Sequence, residues 1–283
     1  MDQIITRIEE TTKIALLSEV RTTPKPGLVD LKDNGAHTDM CYKTFELSTE
    51  AITPHIARMA LMGLNWTGAY NDLFQAIRPA GMEAERSMFL ATGGVNTHKG
   101  IIFSLGIIAA ACGFYYRQHG CFNADAVLLS CRDMTYQALE HDFSKIDPAN
   151  PQTHGERLYV RYGFRGIRGE AQNGFSSVRL ISLPCIRSLT KNPDFDPNQV
   201  YLQVLLTLMA QVDDTNILTR SDPETLSYVK READRILGLG GSYTEAGMDA
   251  IIRLNEDFIK RNVSPGGCAD LLAITIFLRL LEQ

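Results

Sequence analysis

G-G-V-N-T-H-K-G-I-I-F-S-L-G, residues Gly93–Gly106, is the stretch on which the reading of the chain turns. Gly93 and Gly94 form a permissive loop, Asn96, Thr97, His98 and Lys99 place four polar groups in a row, and an apolar run from Ile101 to Tyr116 follows with helical character. Asn96 or Thr97 suits the N-cap, since either side-chain oxygen can accept a bond from an unpaired N–H of the first turn. A helix start behind a glycine loop is an anion site in waiting. His98 and Lys99 are the anomaly. Charged, each would oppose the helix dipole at a cost of about 0.3–1 kcal/mol, a cost that a docked anion reverses. The order Lys-Gly, rather than Gly-Lys-Ser/Thr, excludes a Walker A loop.

The uncharged run Gly100–Tyr116 is shorter than the ~20 residues of a membrane-spanning helix. Its Gly, Ala, Ser and Cys content predicts a helix packed tightly at the centre of a helical core. On both sides the apolar positions repeat with helical spacing. Ile4, Ile5, Ile8, Ala15, Leu16 and Val20 mark a first helix that ends before Pro24. Lys43–Trp66 is a second, kinked or broken at Pro54. Asn71–Ile77, stopped by Arg78-Pro79, and Ala80–Ala91 read as two short helices. Helices follow over 125–141, 176–189, 199–211, 223–237 and 243–261, and Ser264-Pro265 opens a last one. No segment alternates as a strand would. The expectation is an all-α fold, one globular domain over residues 1–283 with a buried central helix and long functional loops.

Charge narrows the function. The chain has 283 residues and a net charge of −5, which argues against a general nucleic-acid binder. Six cysteines without C-x-x-C spacing, and no signal-peptide pattern over Met1–Glu10, read as reduced thiols of a cytoplasmic protein. The long loop Thr23–Met40, rich in proline and glycine, is too irregular for helix or strand and reads as functional. Arg157, Arg161, Arg165 and Arg168 lie among glycines and aromatics, as a phosphate clamp or as a solvated basic surface. Asp214 and Asn216 are either Mg²⁺ ligands in a turn or a helix cap.

Six strings together resemble the triphosphoribosyl-dephospho-CoA synthase family: E-V-R-T-T-P-K-P-G-L-V-D (Glu19–Asp30), G-A-H-T-D-M (Gly35–Met40), G-V-N-T-H-K-G-I-I-F-S-L-G (Gly94–Gly106), R-G-E-A (Arg168–Ala171), D-T-N (Asp214–Asn216) and S-P-G-G-C-A-D-L-L (Ser264–Leu272). One departure is Cys268, where the family pattern leads one to expect a small residue such as serine. The resemblance implies transfer of the 5-triphosphoribosyl group of ATP to the ribose 2′-hydroxyl of 3′-dephospho-CoA, with adenine leaving. The product would be the prosthetic-group precursor for the acyl carrier protein of citrate lyase or malonate decarboxylase, handed on to a prosthetic-group transferase. Such chemistry needs a base for the hydroxyl, an acid for adenine and carboxylates facing a cationic sugar. Asp30, Glu85 and His98 are the candidates for the acid–base work. Lys25, Asn96, Thr97, Lys99, Arg165 and Arg168 are candidates for holding the nucleotide, and Asp39, Asp214, Asn216 and Asp270 for Mg²⁺. An ADP-ribosyl hydrolase that uses Mg²⁺, or a non-catalytic nucleotide-binding assembly factor, is the alternative.

Overall fold

Thirteen α-helices run through residues 2–283, the part of the chain that the computed structural model describes; Met1 lies outside it. They are α1 (Asp2–Arg21), α2 (Tyr42–Leu64), α3 (Tyr70–Ala91), α4 (Lys99–His119), α5 (Ala124–Ser144), α6 (His154–Tyr162) and α7 (Gly166–Gln172). After a π-helical turn over Val178–Ser182 come α8 (Leu183–Leu189), α9 (Pro197–Gln211), α10 (Thr215–Arg220), α11 (Pro223–Gly238), α12 (Glu245–Arg261) and α13 (Gly266–Leu281). No strand occurs among the described residues, so the all-α expectation holds.

The run after Lys99 becomes the central helix. Every residue of α4 from Ser104 to Gly113 is buried. Its length and composition would suffice to cross a bilayer, but two thirds of it is enclosed by the other helices. Small residues allow that enclosure. A β-carbon on Gly63 of α2 would overlap the carbonyl oxygen of Ala110, and one on Gly113 would overlap that of Ala60. The two backbones therefore approach to a distance that no larger side chain would permit. One continuous apolar core extends from Ile8 on α1 to Leu281 on α13.

One proline behaves differently from expectation, and of the two outcomes open at another the break does not occur. The two short helices predicted over 71–91 are one helix, α3, with Pro79 inside it, and α2 likewise runs on through Pro54. An interior proline costs about 3 kcal/mol. In α3 that cost is outweighed by one apolar face on both sides of the proline, with Leu73, Phe74, Ile77, Ala80, Ala84 and Met88 all buried. The expected caps also move. Helix α4 begins at Lys99, with His98 in the cap position and Asn96 Oδ1 accepting from Lys99 N–H at 3.2 Å. Ser264 does not cap α13; its hydroxyl lies 2.9 Å from His37 Nε2.

The long loop between α1 and α2 is pinned from a distance. Gly27 N–H donates to Asn255 Oδ1 on α12 at 2.8 Å, and Asn255 Nδ2 donates to Asp33 Oδ2 at 2.9 Å. Sequence reading gave no hint of Asn255, because its partners lie more than two hundred residues away.

Candidate active site

A cleft of about 630 Å³ opens where this loop meets the starts of α4 and α13, the turn before α10, and α7. All six strings quoted above contribute to its lining. Segments scattered from Glu19 to Leu271 are thus brought to one place.

His98 forms part of the inner wall, and it is buried. Its Nδ1 lies 2.6 Å from Ser48 Oγ on α2, and Thr97 Oγ1 donates to that same oxygen at 2.7 Å. Ser48 therefore spends its proton on Nδ1, which leaves the neutral ring with its hydrogen on Nε2. Burial, reinforced by the nearby Lys25 ammonium, drives the imidazole pKa down to about 3. The cation expected at position 98 is absent: His98 is a hydrogen-bond donor, not a charge. Phe45 holds the ring edge-on at 5.1 Å between centroids.

Lys25 is also not a free cation. It is fully buried and ion-paired through Nζ to Glu19 Oε1, a residue of α1 that sequence reasoning quoted within a motif but did not single out. Burial pushes the Glu19 carboxyl up, against the pull of Lys25. Lys99, by contrast, is exposed at the mouth, 3.1 Å from Glu85 on α3. Asn96 and Thr97 line the cleft beside it.

Asp30 and Glu85 do not line the cleft. The Asp30 carboxylate is buried within its own loop, where it accepts from the N–H groups of Lys25 at 2.8 Å, Lys32 at 2.6 Å and Asp33 at 3.1 Å. It organises the loop from within, away from the cleft lining. Glu85 faces a separate hollow of about 200 Å³, together with Arg168.

The arginine segment does not form a clamp. Arg157 and Arg161 are exposed on α6, outside the cleft lining. Arg165 lines the cleft but is held by Glu140 at 2.8 Å and Gln172 at 2.6 Å, and stacks on Phe143. The second cation at the mouth is instead Arg220, at the end of α10, with Nη2 3.2 Å from His37 Nδ1. Glu170 on α7 lines the opposite wall and accepts from Ser177 N–H and Oγ at 3.1 and 2.5 Å. Phe175, with a left-handed φ of 48°, bends the chain so that Ser177 faces back to Glu170 just before the π-helical turn.

The residues considered for Mg²⁺ do not form a cage. Asp39 is exposed and outside the lining, 3.8 Å from His37. Asp214 is the cap of α10: Oδ1 accepts from Asn216 N–H at 2.8 Å and Oδ2 from Cys268 N–H at 2.9 Å, so one carboxylate fastens the starts of α10 and α13 together. Asn216 is exposed in the lining. Among the described residues no group of three or more His, Cys, Asp or Glu side chains converges as metal ligands would. Of the four, Asp270 alone keeps a carboxylate in the cleft without a hydrogen-bond partner among the described residues. Burial, with Glu19 and Asp214 nearby, pushes its carboxyl well up. Cys268 is buried within the first turn of α13, where both its backbone N–H and its thiol meet Asp214, so a hydroxyl in its place would fall on the α10 cap rather than in the lining.

Comparison with known proteins agrees with this assembly. The 2-(5''-triphosphoribosyl)-3'-dephosphocoenzyme-A synthase of Klebsiella pneumoniae is 39% identical over 284 residues, covering 98% of this chain and 90% of that one. A probable synthase of the same name from Salmonella gallinarum is 41% identical over 265 residues (93% and 87%), and the Escherichia fergusonii synthase is 38% identical over 269 residues (93% and 87%). No solved structure matches. Residues 5–283 match the family described as ATP:dephospho-CoA triphosphoribosyl transferase (CitG), and the chain belongs to that family.

Proposed function

We infer that this protein transfers the 5-triphosphoribosyl group of ATP to the ribose 2′-hydroxyl of 3′-dephospho-CoA and releases adenine. The observation that carries the reading is that all six strings of the family resemblance line one cleft. The start of α4 supplies unpaired N–H groups and Lys99 for the triphosphate, which travels intact and so needs binding without attack. Arg220 is the second cation within reach of the same opening. His98 Nε2–H donates to adenine as negative charge builds on the departing base, a role for which a neutral imidazole is suited. The carboxylates of the inner wall face the cationic sugar.

Mg²⁺ enters on the triphosphate, held by phosphate oxygens and water, as is usual for this ion on nucleotide substrates. The product serves as precursor of the prosthetic group of the citrate lyase or malonate decarboxylase acyl carrier protein, and passes to the transferase that loads that carrier. All six cysteines are free thiols, as suits the reducing cytoplasm where ATP and dephospho-CoA are available.

The test is incubation of the purified chain with ATP, Mg²⁺ and dephospho-CoA, followed by mass analysis. Adenine and the triphosphoribosyl adduct should appear together and only with the acceptor present. Adenine release at the same rate without acceptor would make the protein a hydrolase.

A further inference from the structure

Five carboxylates line the cleft, and four of them are already engaged. Glu19 is paired with Lys25, Glu170 with Ser177, Asp213 with Lys230, and Asp214 with two backbone N–H groups. The fifth, Asp270 in the second turn of α13, has neither hydrogen bond nor ion pair among the described residues; two further acids, Glu19 and Asp214, are close enough to act on its charge. Its space is kept open by the missing side chain of a residue that it touches on α4. A β-carbon on Gly100, the residue after Lys99, would overlap Asp270 Oδ2. The carboxylate therefore packs against the first turn of α4, beside the helix start that receives the triphosphate and without a hydrogen-bond partner among the described residues.

We propose that Asp270 is the general base that takes the proton of the acceptor 2′-hydroxyl, and that the same carboxylate excludes acceptors carrying a 3′-phosphate. The assignment rests on the transferase reading above. In the step, a lone pair of the 2′ oxygen forms the bond to C1′ of the ATP ribose. The C1′–N9 bond breaks, with its electrons going to adenine. The hydroxyl proton goes to Asp270, which returns it to solvent, and adenine takes up one proton. A raised carboxyl is matched to that task, and Asp270 differs from Glu19, Glu170 and Asp214, which burial also raises, in having no partner among the described residues.

The second half follows from the acceptor's chemistry. The family description specifies the dephospho form. CoA differs by a phosphate on the 3′ oxygen, adjacent to the hydroxyl that reacts. A base in contact with the 2′-hydroxyl would stand against that phosphate, with Glu19 and Asp214 behind it. Negative charge facing negative charge in a partly desolvated cleft is a means of rejection, independent of any contact that favours the correct acceptor.

The experiment compares the parent with Asp270→Asn. The parent must first form the adduct from ATP and dephospho-CoA; if it does not, the transferase reading fails and this assignment falls with it. The variant should turn over 10²–10⁴-fold more slowly, bind ATP and dephospho-CoA within about threefold of the parent, and bind CoA at least about tenfold more tightly. A purely structural role would not move the last quantity upward. Gly100→Ala is the second variant. It should melt no lower than the parent, since alanine favours a helix over glycine, yet lose turnover by displacing Asp270. With an active parent, Asp270→Asn turning over within about tenfold of it, or an unchanged ratio of CoA to dephospho-CoA affinity, overturns the assignment.

Discussion

Ser48 Oγ and His98 Nδ1 lie 2.6 Å apart, fifty residues from each other in sequence and both buried. Ser48 accepts from Thr97 on one side and donates to the imidazole on the other, which fixes the tautomer facing the cleft. Ser48→Ala leaves Nδ1 without its donor, at a cost of about 1–3 kcal/mol in stability. It also frees the ring to flip or to exchange tautomers. The expected outcome is a fall in kcat with little change in the KM for ATP, measured by steady-state adenine release. A rise in the KM for ATP with kcat unchanged would mean that His98 binds rather than assists departure.

Because burial holds the His98 pKa near 3, against an ordinary value of 6.5, the unfolded chain binds a proton there that the folded chain refuses. Stability from this group is complete above pH 6.5 and is lost as pH falls toward 3, by up to about 1.4 kcal/mol per unit. Between pH 6.5 and 5 the parent should lose about 2 kcal/mol more than His98→Gln does. Urea titrations of both proteins at the two pH values test this.

Asp270 has the opposite sign. Its folded pKa is raised, so its contribution is present at low pH and is lost as pH rises through the carboxylate range. Asp270→Asn removes that penalty. The variant should melt above the parent at pH 7–8, with the gap closing as pH approaches 4; a lower melting temperature at neutral pH would count against the burial argument.

Lys99 and Glu85 form an exposed pair at 3.1 Å. Such pairs contribute about 0–1 kcal/mol to stability, so Lys99→Ala should leave the melting temperature nearly unchanged. ATP affinity should drop by about tenfold or more at low salt, since a cation beside a helix start is lost from the anion site. Glu85→Gln should act in reverse, tightening ATP binding by releasing Lys99 from a competing carboxylate. Titrations of both variants with ATP decide the matter.

Asp30→Ala should look like a folding defect. The change leaves three buried or half-buried N–H groups without their acceptor, at a cost of several kcal/mol. Activity should fall in step with the folded fraction across a denaturant series. A catalytic base would instead lose rate at full folding.

Most of the helices could be read from the sequence, because helical spacing of apolar residues is a local signal that survives without knowledge of neighbours. Pro79 misled for the same reason: the local rule says stop, and only the shared face of Phe74 and Ala84 outvotes it. The strings that line the cleft were legible as a set. The role of each acid was not. Asp30, Glu85 and Asp270 look alike in sequence, and what separates them is partner supply among the described residues: three amides for Asp30, a lysine for Glu85 and none for Asp270. His98 shows the same limit. Its charge was inferred from residue type, whereas Ser48, Phe45 and burial set its actual state.

Asn255 bonds to Gly27 across 228 positions of sequence, and that span has a consequence for the living ribosome. Synthesis delivers the loop that carries Lys25 and Asp30 long before the helix that fastens it. The entropy of closing so long a loop grows only slowly with its length, so the penalty is one of waiting rather than of final stability. Throughout that wait a growing chain holds helices but no nucleotide pocket. Cellular ATP, though abundant, meets the start of α4 long before α13 closes the cleft around it, so the complete pocket is among the last features of the chain to form.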